Sequence, residues 1–306
     1  MSDEFEIIAN ITGNLPMNDH VVLGPGDDAA TLRFDGNAVV STDILVENVH
    51  FKRAWSTPDQ VGRKAVACNV SDIEAMGARP VAVVVALAFP KDTDDAWVNA
   101  FGDGVRVESE LADVAVVGGD LSRSDVIACS VTAIGDLGPR EAVTRSGARP
   151  GDTVAYFGKL GWAAAGHAAL SRGFRSPKDV VRLALQPEVA YGQGIIASAA
   201  GATAMIDISD GLVQDLGHIA RRSGVRIGVA SDALEITEPM TRVATATGKD
   251  PLSFVLGGGE DYALVATFPD AAQLPEDWTA IGRVEQGEGV TVDGSPAEFT
   301  GWNHFA

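Results

Sequence analysis

Ala204-Met205-Ile206-Asp207-Ile208-Ser209-Asp210-Gly211-Leu212 takes an apolar run straight into two aspartates, a serine and a glycine, after which apolar residues recur at helical spacing to about residue 223. A strand passing directly into a helix is the building unit of an α/β fold. Ser209 or Asp210 can serve as the helix N-cap, whereas Asp207, still on the strand side, has no capping reason to be acidic. A helix N-terminus attracts anions, so carboxylates placed there make better sense with a divalent cation between them and a phosphate.

The same alternation runs outward in both directions. Toward the N-terminus, Val- and Ile-rich runs at 37–43, 81–89, 113–117 and 126–135 predict strands, and the spacing at 60–77 and 94–111 predicts helices. Toward the C-terminus, strands are expected at 153–157, 203–208, 225–230 and 262–268, with helical patterns at 161–172, 187–200 and 211–223. The turn-rich passage from Gly135 to Pro139, followed by Arg145 to Asp152, marks a boundary. It divides the chain into two α/β domains, 1–137 and 138–306.

The chain has 306 residues, 46% of them hydrophobic, which is enough to build sizeable cores. Asp and Glu number 42 against 23 Lys and Arg, a formal charge of −19, and this disfavours nucleic acid and anionic membrane surfaces as partners. A phosphate-bearing substrate would need cations to enter such a field, with bound Mg²⁺ the natural supplier. Solubility alone is the competing explanation of the charge. The two cysteines, Cys68 and Cys129, sit in apolar stretches and read as core residues. MSDEFEII is acidic where a secretory signal is basic, and the apolar run Val81 to Phe89 is too short to span a bilayer, so a cytoplasmic protein is expected.

Further carboxylates occupy comparable places. Gly24-Pro25-Gly26-Asp27-Asp28 is a tight turn in which an Asp also serves as an Asx-type hydrogen-bonding residue, so both readings stay open. Ser41-Thr42-Asp43 is expected at the end of a strand, with His50 a little beyond. On the helix, Val61, Ala65, Cys68 and Asp72 share one face, and a carboxylate on an apolar stripe requires a metal or an ion-pair partner. Gly118-Gly119-Asp120 follows a strand, and Gly257-Gly258-Gly259-Glu260-Asp261 precedes one. Oxygen ligands of this kind favour Mg²⁺ over zinc. Neither a G-x-x-x-x-G-K-[ST] loop nor a strand-linked G-x-G-x-x-G is present, which leaves phosphate binding to metals and to arginines such as Arg145.

Taken in order, GDDAA, STD followed by HF, NVSDIEAMGA, GGD, TRSGARPGD, DISDGL and GGEDY resemble the thiamine-monophosphate kinase family over nearly the whole chain. That family belongs to the aminoimidazole ribonucleotide synthetase-like ATP-binding superfamily. The resemblance implies a two-domain fold of that type, with an N-terminal ATP- and Mg-binding domain that forms a β-barrel with a second subunit of a homodimer. The C-terminal α/β domain would complete the active site. It further implies that Asp28, Ser41, Thr42, Asp43, Asp72, Asp120, Asp207 and Asp210 bind several Mg²⁺ ions, with Asp72, Asp120, Asp207 and Asp210 central to catalysis. Gly119, Asp120, Arg145 and Ser209 would contact ATP. His50, Glu260 and Trp302 would contact thiamine monophosphate. The expected reaction is direct in-line transfer of the γ-phosphoryl group to the substrate phosphate, giving thiamine diphosphate and ADP. The rivals are another ATP-dependent enzyme of the superfamily and a nucleotide- or Mg-binding module without turnover.

Overall fold

The computed structural model describes residues 13, 15–270 and 272–297. Trp302 therefore lies outside the described residues. The described chain forms two compact units, one running to Ile73 and from Ala78 to Glu141, the other comprising Glu74–Gly77 and the chain from Ala142 onward.

In the first unit β1 (Val21–Leu23) and β2 (Thr31–Leu32) form a small antiparallel pair. They are followed by β3 (Ala38–Val46), α1 (Pro58–Ala75, whose last two residues count with the second unit), β4 (Arg79–Phe89), α2 (Asp95–Leu111), β5 (Ala115–Arg123) and β6 (Ala128–Asp136). The four long strands are ordered β3-β6-β4-β5, with β4 and β5 parallel and the other neighbours antiparallel. Parallel neighbours need a long crossover, and α2 supplies it between β4 and β5. Pro58 opens α1, where its missing N–H costs nothing. Asp94 caps α2 by accepting the Ala96 N–H at 3.0 Å. Arg63 on α1 donates to the buried Glu108 on α2 at 2.7 Å, a charge-assisted tie between the helices.

Asp136 closes this unit. Its buried carboxylate accepts N–H groups from Asp35 (2.7 Å), Gly36 (3.0 Å) and Gly138 (2.8 Å), so one side chain pins both the entry to β3 and the exit from β6. Burial opposes its ionisation, but the three N–H groups and nearby His20 outweigh that and hold its pKa below the ordinary aspartate value.

The second unit contains β7 (Thr153–Phe157), α3 (Trp162–Ser171), α4 (Lys178–Leu185), α5 (Gln193–Ala199), β8 (Ala204–Ile208), α6 (Leu212–Ser223) and β9 (Arg226–Val229). After these come α7 (Glu238–Thr247), α8 (Pro251–Gly257), β10 (Ala263–Phe268), β11 (Thr279–Glu285), β12 (Gly289–Val292) and β13 (Ser295–Pro296). Seven strands line up as β13-β12-β9-β11-β7-β10-β8, antiparallel except for β9 beside β12. Met205, Leu264, Ala266, Phe268 and Trp278 share a buried cluster, with the Phe268 and Trp278 rings edge to face at 5.4 Å. The Trp278 indole N–H is satisfied by Gln193 at 3.0 Å.

Three helices of this unit, α3, α5 and α6, begin at glycine N-caps that lack a side-chain cap: Gly161, Gly192 and Gly211. In each case a buried carboxylate takes the N–H groups left over. Asp261 accepts from Gly161 and from Ala163 (3.0 Å), Glu74 from Gly192 (2.7 Å) and Gly194 (2.9 Å), and Asp215 from Asp210 (3.1 Å) and Gly211 (3.0 Å). Burial raises the pKa of all three acids to about 7 despite these N–H groups.

The structure corrects several sequence-based boundaries. β3 does not stop at Asp43 but runs to Val46, because its ladder with β6 continues to Ala128. β5 likewise runs through Gly118-Gly119-Asp120 to Arg123. It stays paired with β4 because Gly119 lies so close to Val85 that a Cβ would sit 2.2 Å from its carbonyl oxygen. The helix expected over 187–200 shrinks to α5, since Pro187 and the left-handed Gly192 (φ 79°) precede it. Among described residues, α4, α7, α8, β1, β2 and β11 to β13 were not anticipated.

Two outcomes follow from these carboxylates. A buried acid whose folded pKa exceeds its unfolded value stabilises the fold below the unfolded pKa, and that contribution is lost as pH rises through the folded pKa. For Glu74, from 4.5 to about 7, the unfolding free energy from urea melts should therefore fall more shallowly with pH in Glu74→Gln than in the parent. Asp136→Ala, which orphans three backbone donors, should destabilise the protein by roughly 3 kcal/mol in the same measurement.

Candidate active site

In the first unit the acids and hydroxyls of interest lie chiefly on β3 and α1. Alternation along β3 puts Ser41, Asp43 and the buried Leu45 on one face and Val40, Thr42 and Ile44 on the other. The Ser41 hydroxyl donates to the Asp72 carboxylate on α1 at 2.6 Å. Asn69, one turn earlier on α1 and almost fully buried, accepts the Asp43 N–H at 2.7 Å and donates to Ala65 carbonyl at 2.8 Å. Its amide is held at both ends, and it fixes the register of β3 against α1. Asp72 thus lies partly buried at the end of the stripe formed by Val61, Ala65 and Cys68, with a hydroxyl donor aimed at it.

Thr42 points the other way, its hydroxyl donating to Val131 carbonyl at 3.0 Å and accepting from Thr132 at 3.2 Å. Asp120 and Gly119 are exposed on β5, where Asp120 stands opposite Ala86. Asp28 is exposed in the bend between β1 and β2, its N–H donating to the Asp27 carboxylate at 2.9 Å. The His50 Nδ1 accepts the Val46 N–H at 2.9 Å, which places the ring proton on Nε2 when the imidazole is neutral. The Lys64 ammonium donates to the His50 carbonyl at 3.0 Å.

In the second unit the site is built at the end of β8. Asp207 is buried within the strand, opposite Leu264 of β10. The chain then turns through Ser209 and Asp210 into α6. Asp215, one turn into the helix, reaches back to the N–H groups of Asp210 and Gly211 in the manner of a capping box, while Gln214 donates to the Asp210 carboxylate at 2.9 Å. Burial, together with the Asp210 charge, raises the Asp215 pKa to about 7, against the two N–H groups and Arg145. Burial and the neighbouring Arg221 and Arg145 lower the pKa of His218, which Asp210 partly offsets. Ligand atoms of Asp210, Asp215 and His218 all lie within 4.8 Å of one another.

The loop before β10 lies against this turn. The Glu260 N–H donates to Ser209 carbonyl at 2.8 Å and the Tyr262 N–H to Ile208 carbonyl at 2.9 Å. Glu260 adopts a left-handed backbone (φ 64°), and its carboxylate meets His167 Nε2 of α3 at 2.6 Å. Beside it opens a cleft of about 460 Å³ lined by His167, Arg172, Lys249 and Gly257–Gly259 among others.

The structure therefore brings Ser41 together with Asp72, and Ser209 together with Glu260, within their respective units, and sets Arg145 within electrostatic reach of Asp215 and His218 beside Asp210. Sequence reading passed over Asn69, His167, Asp215 and His218, and it gave Asp261 no role of its own beside Glu260. The spacing of Asp215 and His218 on α6, three residues apart and so on one face, was the available signal for two of them. In the cluster of Asp210, Asp215 and His218 two of the three donors are carboxylate oxygens, which suit a hard cation such as Mg²⁺.

Two domain models cover most of the chain: AIR synthase related protein, N-terminal domain, at residues 26–137, and AIR synthase related protein, C-terminal domain, at residues 149–295. The chain is 47% identical over 306 residues to the thiamine-monophosphate kinase of Mycobacterium tuberculosis, a match spanning 99% of this chain and 91% of that one. Among solved structures, thiamine monophosphate kinase from Aquifex aeolicus is 38% identical with a TM-score of 0.80 over 85% of this chain and 89% of that one. A structure described as AaThiL complexed with AMPPCP and TMP is 36% identical with a TM-score of 0.83 over 98% and 96%. A turn that gathers aspartates, a serine and an arginine at the end of a strand, in a chain so matched along its length, identifies this protein as a member of the thiamine-monophosphate kinase family.

Proposed function

We propose that this chain transfers the γ-phosphoryl group of ATP to the phosphate of thiamine monophosphate, giving thiamine diphosphate and ADP. The observation that carries this reading is the match at 47% identity along 99% of the chain to a thiamine-monophosphate kinase. Support comes also from the neighbour described as complexed with AMPPCP and TMP, an ATP analogue and the phosphate acceptor.

A nonbridging oxygen of the acceptor phosphate attacks the γ-phosphorus while the bond from that phosphorus to the β,γ-bridging oxygen breaks. The acceptor oxygen is already anionic, so no general base is required. The demand on the protein is alignment and charge compensation. Asp28, Ser41, Thr42, Asp43, Asp72, Asp120, Asp207 and Asp210 are the proposed ligands of Mg²⁺, which when bound supplies positive charge to the phosphoryl oxygens. Gly119, Arg145 and Ser209 are assigned to ATP, the guanidinium to a phosphate. His50 and Glu260 are assigned to the thiamine moiety, whose cationic ring a carboxylate attracts. Trp302 is assigned there from the sequence alone. Asp215 orients this set from behind: its hold on the Asp210 and Gly211 N–H groups fixes where the Asp210 carboxylate can point.

A homodimer and a cytoplasmic location complete the reading. Val40 and Ile44 on β3 are 63% and 52% exposed, an apolar row that a second copy of the same sheet would cover. No helix among the described residues is long and apolar enough to cross a membrane.

Incubation with Mg²⁺, ATP and thiamine monophosphate should yield thiamine diphosphate by chromatography, and Asp207→Asn should lower that turnover at least about a hundredfold with little change in melting temperature. ADP formed with an aminoimidazole precursor instead, or ATP binding without any product, would replace this reading with another superfamily activity or with a binding module. Ile44→Asp, which sets a charge in the exposed row, should convert a dimer to a monomer in sedimentation velocity measurements.

A further inference from the structure

Glu260 sits in an unusual place for a ligand-binding acid. It follows three consecutive glycines, its backbone is left-handed at φ 64°, and the Glu260 N–H is tied to Ser209 carbonyl at 2.8 Å. The main chain is thereby fixed, but a glutamate side chain retains three rotatable bonds. His167, on a different element and 93 residues away in sequence, supplies a restraint on that side chain: its Nε2 lies 2.6 Å from Glu260 Oε2. Both side chains are about half-buried, at 30% and 28% exposure, so the contact is neither sealed in the core nor fully open to solvent screening.

The surroundings sharpen the point. The next residue, Asp261, is turned inward to the N–H groups of Gly161 and Ala163 at the start of α3, the helix that carries His167. One helix therefore receives Asp261 at its first turn and presents His167 to Glu260 about one and a half turns later, so that α3 holds the loop at two adjacent points. Beyond the pair, the cleft of about 460 Å³ is lined by His167, Arg172, Lys249 and Gly257–Gly259 among others, with no carboxylate among those residues, and Glu260 meets it through His167.

We infer that His167 is the positioning residue for Glu260, holding its carboxylate in the orientation that binds the cationic part of the substrate; this rests on the reading of Glu260 given above. Both a protonated imidazole and a neutral one with its proton on Nε2 donate to the carboxylate, the protonated ring more strongly, so the contact is present in either charge state. Its effect is on substrate affinity and not on the phosphoryl step, because His167 acts on Glu260, while the acids of the β8 turn are held by Asp215 and Gln214.

The test is steady-state kinetics on the full chain with His167→Ala, His167→Gln, Glu260→Gln and the double variant His167→Ala with Glu260→Gln. His167→Ala should raise the KM for thiamine monophosphate about tenfold, the size expected for losing a charge-assisted hydrogen bond, with kcat and the KM for ATP within about twofold of the parent. His167→Gln, which keeps an N–H at a similar reach, should recover most of the affinity. In the Glu260→Gln background the His167→Ala change should add nothing further. If Glu260→Gln raises this KM but His167→Ala does not, or if His167→Ala raises both KM values alike, the positioning role is wrong and the pair is merely structural. If Glu260→Gln itself leaves the KM for thiamine monophosphate at the parent value, the reading of Glu260 fails, and the inference with it.

Discussion

Carboxylates that have been taken out of water to hold backbone N–H groups are the constraint on which the second unit depends. A helix that begins at glycine has no side chain to satisfy its first N–H groups, and here Asp261, Glu74 and Asp215 do so for α3, α5 and α6. The field at a helix N-terminus favours the anion, while burial disfavours it. Burial outweighs the N–H groups and raises the pKa of all three acids to about 7. In return, the loops that enter these helices are held from inside the fold, and the residues flanking them are left to face a ligand.

That division of labour explains why acids occur in pairs along this chain. In Glu260-Asp261 the second acid is buried and grips α3, and the first meets His167 at the cleft. In the turn after β8, Asp215 plays the inward part and Asp210 the outward one. A single acid cannot hold a helix start and also present its oxygens to a ligand with the same geometry. The first unit uses different means to the same end: Asp136 organises the sheet margins through three N–H groups, and Asn69 sets β3 against α1 so that Ser41 and Asp72 meet.

The net charge of −19 bears on the chemistry proposed for these sites. Bringing two phosphorylated molecules to an acidic protein is unfavourable unless cations accompany them. Without a Gly-rich phosphate loop, backbone N–H groups do not supply the compensation, and in the turn after β8 two of them are already committed to Asp215. Divalent cations held by carboxylates, as proposed above, would satisfy the protein and the phosphates together and so make the excess of acid compatible with phosphoryl transfer.

The alternation of Val-rich strands with 3.6-residue periods made β4, β6, β7, β8, β10, α1, α2 and α6 legible, and Asp207 stood out because no local role accounts for an acid inside an apolar strand. Short elements escaped: α4, α7 and α8 have seven to ten residues each, too few turns for a period to emerge, β11 and β12 pair with strands distant in sequence, and β13 has only two residues. The sequence by itself determined where chemistry-bearing residues fall along strands and helix starts, because those positions obey local periodicity and capping rules. Which acid turns inward and which outward, that Asn69 locks β3 to α1, and that His167 meets Glu260 were decided only by the tertiary structure, since hydrogen bonds between groups tens of residues apart leave no periodic trace in the chain.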